Sequence, residues 1–214
     1  MMDRRGVSPV VGVMLMLVAT VVLAAVVSSF SGGLATDEQK APQASIAAKF
    51  VIEGYNDTDT SNYEPNYATG FSAANGILFE HMGGDGFSLD DIEIQLQSGT
   101  TKYTISNADQ INTTVRSETD GPNATTCLPS GINKYLVEIG SNDGYIQPGD
   151  KFMLYADNCY DSSTAPWGSN GVFFTWKPVG AAGGFGVQKY TTIEYKIIHK
   201  PSGKAIATGT IEVI

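Results

Sequence analysis

Charge is absent between residues 7 and 36 of this 214-residue chain, while the rest of the sequence carries it freely. A helix that faces water on any side needs polar positions there, so this stretch cannot be an ordinary surface helix of a soluble domain. Histidine and cysteine are scarce, two of each. A zinc site draws on clusters of these ligands, and none is spaced for one. No Ser-His-Asp or Cys-His order stands in a catalytic context either, so the chain is read as a non-enzyme with no cofactor. Basic residues are also in deficit: 13 Lys and Arg against 22 Asp and Glu, a formal net charge of -9. Phosphate backbones need a basic face, so nucleic acid is excluded as a partner.

What fills the uncharged stretch is Val, Leu, Ala and Met. It exceeds the roughly 20 apolar residues that a membrane-spanning helix requires. Arg4 and Arg5 stand just before it, which keeps that end cytoplasmic and puts the remainder of the chain outside the cell. Three readings follow. A secretory signal peptide cut near Ala35 has an apolar core longer than the usual 7–15 residues. A permanent single-span anchor fits the length. A leader cut between Gly6 and Val7 on the cytoplasmic side leaves the helix on the mature protein. Only the third gives Gly6 a role, as the unhindered backbone a peptidase needs. It also uses Ser8 as N-cap and Pro9 as the first helical residue.

The segment RRGVSPVVGVMLMLVATVVLAAVV, residues 4–27, resembles the amino-terminal segment of archaeal type IV pilins. In that family a basic pair and a glycine precede the cut, and an SPVVG-like run opens the helix. The resemblance places the peptidase site at Arg5, Gly6 and Val7. It implies a leader over residues 1–6, a membrane and filament-core helix over 7–36, and an extracellular head over 37–214. Pro9, Gly12, Leu15, Leu17, Val21 and Ala25 are the helix positions expected in the filament. Bacterial type IV pilins carry a Glu at the fifth mature position, where this chain has Val11, so charge pairing does not set a register here.

Such a helix begins in lipid and, once drawn out, needs another apolar environment. Bundling with copies of itself supplies one, at about 0.8 kcal/mol per buried methylene. Gly12, Ala19, Ala24, Ala25, Ser28 and Ser29 allow close helix approach.

Beyond the helix, Gly32 and Gly33 are expected to end or bend it, and Pro42 follows a polar joint. Then the period becomes two. Ala44, Ile46, Ala48, Phe50 and Ile52 fall on one face of a strand, as do Ile92, Ile94 and Leu96, then Tyr135, Val137 and Ile139, then Phe152, Leu154 and Ala156, and Ile193, Tyr195 and Ile197. Further strands are expected over 77–82, 102–105, 172–176 and 206–214, the last after a turn at 201–203. The fold class is α+β: a long amino-terminal hydrophobic helix followed by an antiparallel, immunoglobulin-like β-sandwich. The stretches LFEHMGGDGFSLDDIEIQL, QPGDKFML and TIEYKIIHKPSGKAIATGTIEV also resemble archaeal pilins, which implies that family's β-domain.

Smaller features have bland and sharp readings. His81 lies beside a glycine-rich turn near Asp85, Asp90 and Asp91, and turn chemistry explains the set better than a metal does. Asp57 and Asp59 lack the glycine and distal glutamate of a calcium loop. Export makes a Cys127–Cys159 disulfide the simple expectation, against two buried thiols. Asn56, Asn112 and Asn123 each open an N-x-Thr sequon and are candidate glycosylation sites. The stretch 54–76 places Tyr55, Tyr63, Tyr67 and Phe71 in polar sequence, where they either contact a neighbour or cover the domain's own core.

The expected function is a structural subunit that polymerises through its helix into an adhesive filament at the cell surface, after residence in the cytoplasmic membrane. Its partners by resemblance are further copies of itself, the prepilin peptidase, and an assembly ATPase with its membrane platform. The rivals are an archaellin of a motility filament and a membrane-anchored extracellular binding protein.

Overall fold

The computed structural model describes residues 9–34, 40–54, 56–57, 73–111, 128–129, 131–141, 143–162 and 171–214. Contacts divide the chain into residues 1–40 and residues 41–214. The first unit contains helix α1 (Pro9–Leu34). Pro9 occupies its first position, where a missing N–H costs no hydrogen bond. The described helix runs through Gly32 and Gly33 to Leu34, so these glycines do not end it, and Leu34 lies inside the expected helix over 7–36. Glycine lowers helix propensity by about 1 kcal/mol without forbidding the conformation.

The second unit is built from strands β1 (Ala44–Val51), β2 (Asn56–Asp57), β3 (Gly76–Gly84), β4 (Phe87–Ser88), β5 (Ile92–Ser98), β6 (Thr101–Ser106), β7 (Leu136–Ile139), β8 (Tyr145–Ile146), β9 (Lys151–Tyr155), β10 (Asn158–Ser162), β11 (Gly171–Trp176), β12 (Phe185–Gln188), β13 (Thr192–His199) and β14 (Lys204–Glu212). The order β1-β3-β9-β7 makes a first sheet, β14-β13-β5-β6 a second and β12-β11-β10-β2 a third, with β4 and β8 as a short ribbon. Every pairing is antiparallel except that of β2 with β10. The class is α+β, as expected. Among the described residues the strands form three four-stranded sheets and a ribbon, where an immunoglobulin-like sandwich has two sheets.

Period-two patterning explains the burial. On β5, Ile92, Ile94 and Leu96 are fully buried while Glu93, Gln95 and Gln97 are half-buried. On β13 the buried set is Ile193, Tyr195, Ile197 and His199. These faces meet the first sheet, where the Phe79 ring stands 5.3 Å from Tyr195 at 72° and 4.9 Å from Phe152. Phe50 of β1 reaches the third sheet, 5.1 Å from Phe174 and 6.3 Å from Trp176. One apolar cluster therefore runs through all three sheets.

Strand β7 differs from its expected phase. Leu136 and Glu138 are buried and pair with Leu154 and Phe152, while Ile139 is 47% exposed. A glutamate tolerates that position because the Ser141 hydroxyl and the Gly144 N–H both donate to its carboxylate. Close approach requires glycine at several positions, among them Gly76 and Gly209. At Gly76, φ is +144° and a Cβ would stand 2.1 Å from the Leu154 carbonyl oxygen. At Gly209, a Cβ would stand 2.7 Å from the Tyr195 ring that lies over β14.

Burial pushes the phenols of Tyr103, Tyr155 and Tyr195 above their ordinary value, aided by Asp109 and Asp157 at Tyr103 and by Glu53 at Tyr155. Unfolding lets these groups ionise more readily, so the stability they contribute is present below pH 10 and is lost as pH rises beyond it.

A second polar knot ties the first sheet to the third. The Asp157 carboxylate, 1% exposed, accepts from the Tyr135 hydroxyl, from the Lys177 N–H at 2.7 Å and from the Thr175 hydroxyl at 3.4 Å. Replacing Asp157 by Ala strands these donors, and urea unfolding of the variant is expected to show a loss of about 3 kcal/mol. Tyr135→Phe removes one bond and is expected to lose about 1 kcal/mol. Equal midpoints for wild type and Asp157→Ala would show that the knot contributes nothing.

Candidate assembly helix

Helix α1 is apolar on every face, with no acidic residue in its first turn and no basic residue in its last. Its side chains over residues 9–29 are all exposed, including Val10 at 64% and Leu17 at 63%. A helix that is greasy all round belongs in a bilayer or in the middle of a bundle. The stretch Pro9–Ser29 is 21 residues long and passes the length and composition test for a membrane span. At 1.5 Å per residue it covers about 31 Å, close to a hydrocarbon core of about 30 Å. Its one hydroxyl in mid-span is satisfied internally, because Thr20 Oγ1 donates to the Leu17 carbonyl at 2.9 Å.

The expected filament positions do not form a single stripe. Leu17, Val21 and Ala25 follow at intervals of four and share one ridge. Gly12 and Leu15 are three apart and lie on another side of the helix. Contact on more than one side suits a helix with neighbours around it rather than a two-helix seam. Gly12 stands in open space, with nothing within 4 Å of a Cβ placed there. Among the described residues, no packing calls for glycine at that position.

Arg5, Gly6 and Val7 lie outside the described residues, as do Asn112, Asn123, Cys127, Asp59 and the aromatics Tyr55, Tyr63, Tyr67 and Phe71. Asn56 opens β2, whose backbone pairs with Tyr160 of β10. Cys159 is in β10, 1% exposed, and is not a free thiol.

His81 is fully buried in β3. Its Nε2 lies 2.9 Å from the Asp85 carbonyl, and its Nδ1 accepts from the Gly83 N–H at 3.2 Å. A carbonyl only accepts and an amide N–H only donates, so the ring is the neutral tautomer with its proton on Nε2. It also stacks on Phe87 at 5.7 Å. Both nitrogens being engaged, His81 closes the turn rather than offering a free ligand. His199 similarly engages Ser202 through Nδ1 at 2.9 Å. Among the described residues, no three His, Cys, Asp or Glu side chains stand together as a metal site. No pattern in the sequence marks a polar groove beside the β6 end, which is lined by residues 90, 107, 108, 110, 111, 133, 134 and 200.

An uncharacterized protein of Archaeoglobus fulgidus is 37% identical over 93 residues, which is 44% of this chain and 52% of that relative. The chain thus matches about half the length of that curated relative. Over residues 5–46, a stretch holding all of α1 and the opening of β1, the chain matches the family model for the amino-terminal domain of archaeal type IV pilins.

Proposed function

We propose that this chain is a structural subunit of an archaeal type IV pilus, assembled through α1 into an extracellular adhesive filament. The observation that carries the reading is the helix itself: charge-free, apolar on every side, bare of cover, and continuous with the segment that matches the pilin family. In this reading residues 1–6 are a leader, residues 7–36 the membrane and filament-core helix, and residues 37–214 the outer head. A peptidase recognises Arg5 and Gly6 and cuts before Val7. The helix waits in the cytoplasmic membrane and leaves it when an ATPase and its membrane platform pass the subunit to the growing filament. Other copies of α1 then replace lipid. Cyclic contacts would close a ring, whereas repeated identical contacts that do not close give a helical filament.

Gly12 supports this reading. A helix-interior glycine costs about 1 kcal/mol relative to alanine. With nothing of its own chain nearby, the benefit that offsets this cost comes from the approach of another helix. The head is proposed to carry glycans on one or more of Asn56, Asn112 and Asn123, and a Cys127–Cys159 disulfide. The buried, non-free sulfur of Cys159 supports the bridge.

Three outcomes are expected. Mass spectrometry of surface filaments from the native cell should find this chain beginning at Val7. A chain that keeps Arg4 and Arg5 and stays in the membrane fraction would instead make it a single-span anchored protein, and a filament that turns on a rotary motor would make it an archaellin. Gly12→Leu should be processed and retained in the membrane yet yield few filaments by electron microscopy. Val21→Lys should lose about 2.5–3.5 kcal/mol of membrane insertion and be recovered from the membrane fraction in lower yield than wild type. Separately, Cys159→Ser should lower head stability by roughly 3–4 kcal/mol, the loop-closure value for a loop of this length. Unchanged urea midpoints with and without reductant would exclude the bridge.

A further inference from the structure

Asparagine precedes glycine at two places in the chain, Asn75–Gly76 and Asn170–Gly171. This dipeptide is prone to lose its side-chain amide, because glycine has no Cβ to hinder its own nitrogen from turning on the preceding side chain. Asn170 lies outside the described residues, whereas Asn75 is fully buried immediately before β3.

The fold leaves little freedom to avoid the pair at 75–76. Asn75 Oδ1 accepts from the Glu53 N–H at 2.8 Å and from the Gly54 N–H at 3.3 Å, while Nδ2 donates to the Gly54 carbonyl at 2.5 Å. An aspartate has no hydrogen for that carbonyl, and a glutamine brings an extra methylene into a fully buried site. Gly76 is fixed as well, since its φ is +144° and a Cβ there would stand 2.1 Å from the Leu154 carbonyl oxygen. Two separate demands of packing therefore place a labile dipeptide in the core.

The same contacts oppose its reaction. Ring closure makes the flat amide carbon tetrahedral and expels Nδ2, so the amide must leave all three partners. A buried donor or acceptor left unmade is costly. The main-chain carbonyl of Asn75 is also held, accepting from the Ala156 N–H at 2.8 Å. Water, which the later step consumes, has no exposed surface of Asn75 to meet.

We propose that Asn75 is a site of spontaneous deamidation, shielded in the folded head and released when the head unfolds. The Gly76 nitrogen bonds to Asn75 Cγ, and Nδ2 departs as ammonia with the proton from Gly76. Water then opens the cyclic imide at Cγ to give aspartate, or at the main-chain carbonyl to give isoaspartate. The balance is amide plus water to acid plus ammonia, with no oxidant or reductant. Aspartate puts an oxygen where Nδ2 faced the Gly54 carbonyl oxygen. Isoaspartate lengthens the main chain by one carbon at the entry to β3. Either product opposes refolding, so time spent unfolded is recorded covalently and unfolding becomes progressively irreversible. None of this depends on filament assembly.

The test holds the full chain in detergent micelles and mildly alkaline buffer, with and without unfolding urea, and maps conversion by peptide mass spectrometry. In urea, Asn75 and Asn170 are expected to convert at similar rates. Without urea, Asn75 is expected to convert at least about tenfold more slowly, because only the open fraction reacts. After urea is removed, the fraction that fails to refold should grow in step with conversion at Asn75, and should do so equally in Asn170→Ser. Asn75→Asp is expected to unfold at lower urea than wild type. Equal conversion of Asn75 with and without urea would overturn the shielding, and that comparison needs no variant. Full refolding of chains converted at Asn75, a wild-type midpoint for Asn75→Asp, or refolding losses that vanish in Asn170→Ser would overturn the covalent record.

Discussion

A helix of 26 residues that buries none of its described side chains is the constraint on which everything else turns. Apolar surface is driven out of water at about 25 cal/mol per Å², without preference for what replaces the water. Lipid tails and sibling helices are equally acceptable partners. In the proposed reading, that indifference would let one segment serve as a membrane span and then as a filament core. It also explains why the segment carries no charge: a single Lys at mid-span would set about 2.5–3.5 kcal/mol against burial in lipid.

The second unit, residues 41–214, has an apolar cluster of its own, whose buried members run from Phe50 onward with Ala44, Ile46 and Ala48 packed against them. Phe79 joins the first sheet to the second through Tyr195, and Phe50 joins the first to the third through Phe174 and Trp176. Aromatic rings span the gap between sheets with few rotamer states to lose, so a handful of them can lock three sheets together. Where the core takes in Glu138 and Asp157, hydrogen-bond donors hold their carboxylates. Glu138 is held by Ser141 and Gly144, and Asp157 by Tyr135, Thr175 and Lys177.

Legibility followed from how strongly each segment is patterned. The uncharged run and the alternation of Ile92, Ile94 and Leu96 were plain in sequence, because burial of one face dictates residue type at every second position. Strand β10, with Asn158 and Asp161, and strand β12, with Gly186, carry no such signal, since neighbours rather than composition hold them. The phase of β7 misled because Val137 and Ile139 alternate convincingly, while the buried Glu138 is stabilised by hydrogen bonds that no local pattern announces. Helix α1 outlasted Gly32 and Gly33 because propensity is a weak term there. The groove around Asn107 was invisible for a different reason. Its residues are ordinary turn and loop types, and only the fold makes neighbours of positions 90, 107, 134 and 200.

Hydrophobic cover alone leaves one thing undetermined, namely the register between neighbouring helices. Burial energy changes little when one greasy rod slides along another, and Val11 provides no charge to pin the position. Shape must then do it. Gly12 is a notch on a surface otherwise built of Val, Leu and Met, and backbones can approach closely only where notches meet. A ridge such as Leu17–Val21–Ala25, narrowing from Leu to Ala, gives a second steric reference a turn farther on. Lipid supplies no complementary shape and so imposes no register in the membrane. Under the proposed assembly the same helix would be free to rotate in lipid and fixed afterwards, its small residues setting the register against another copy of itself.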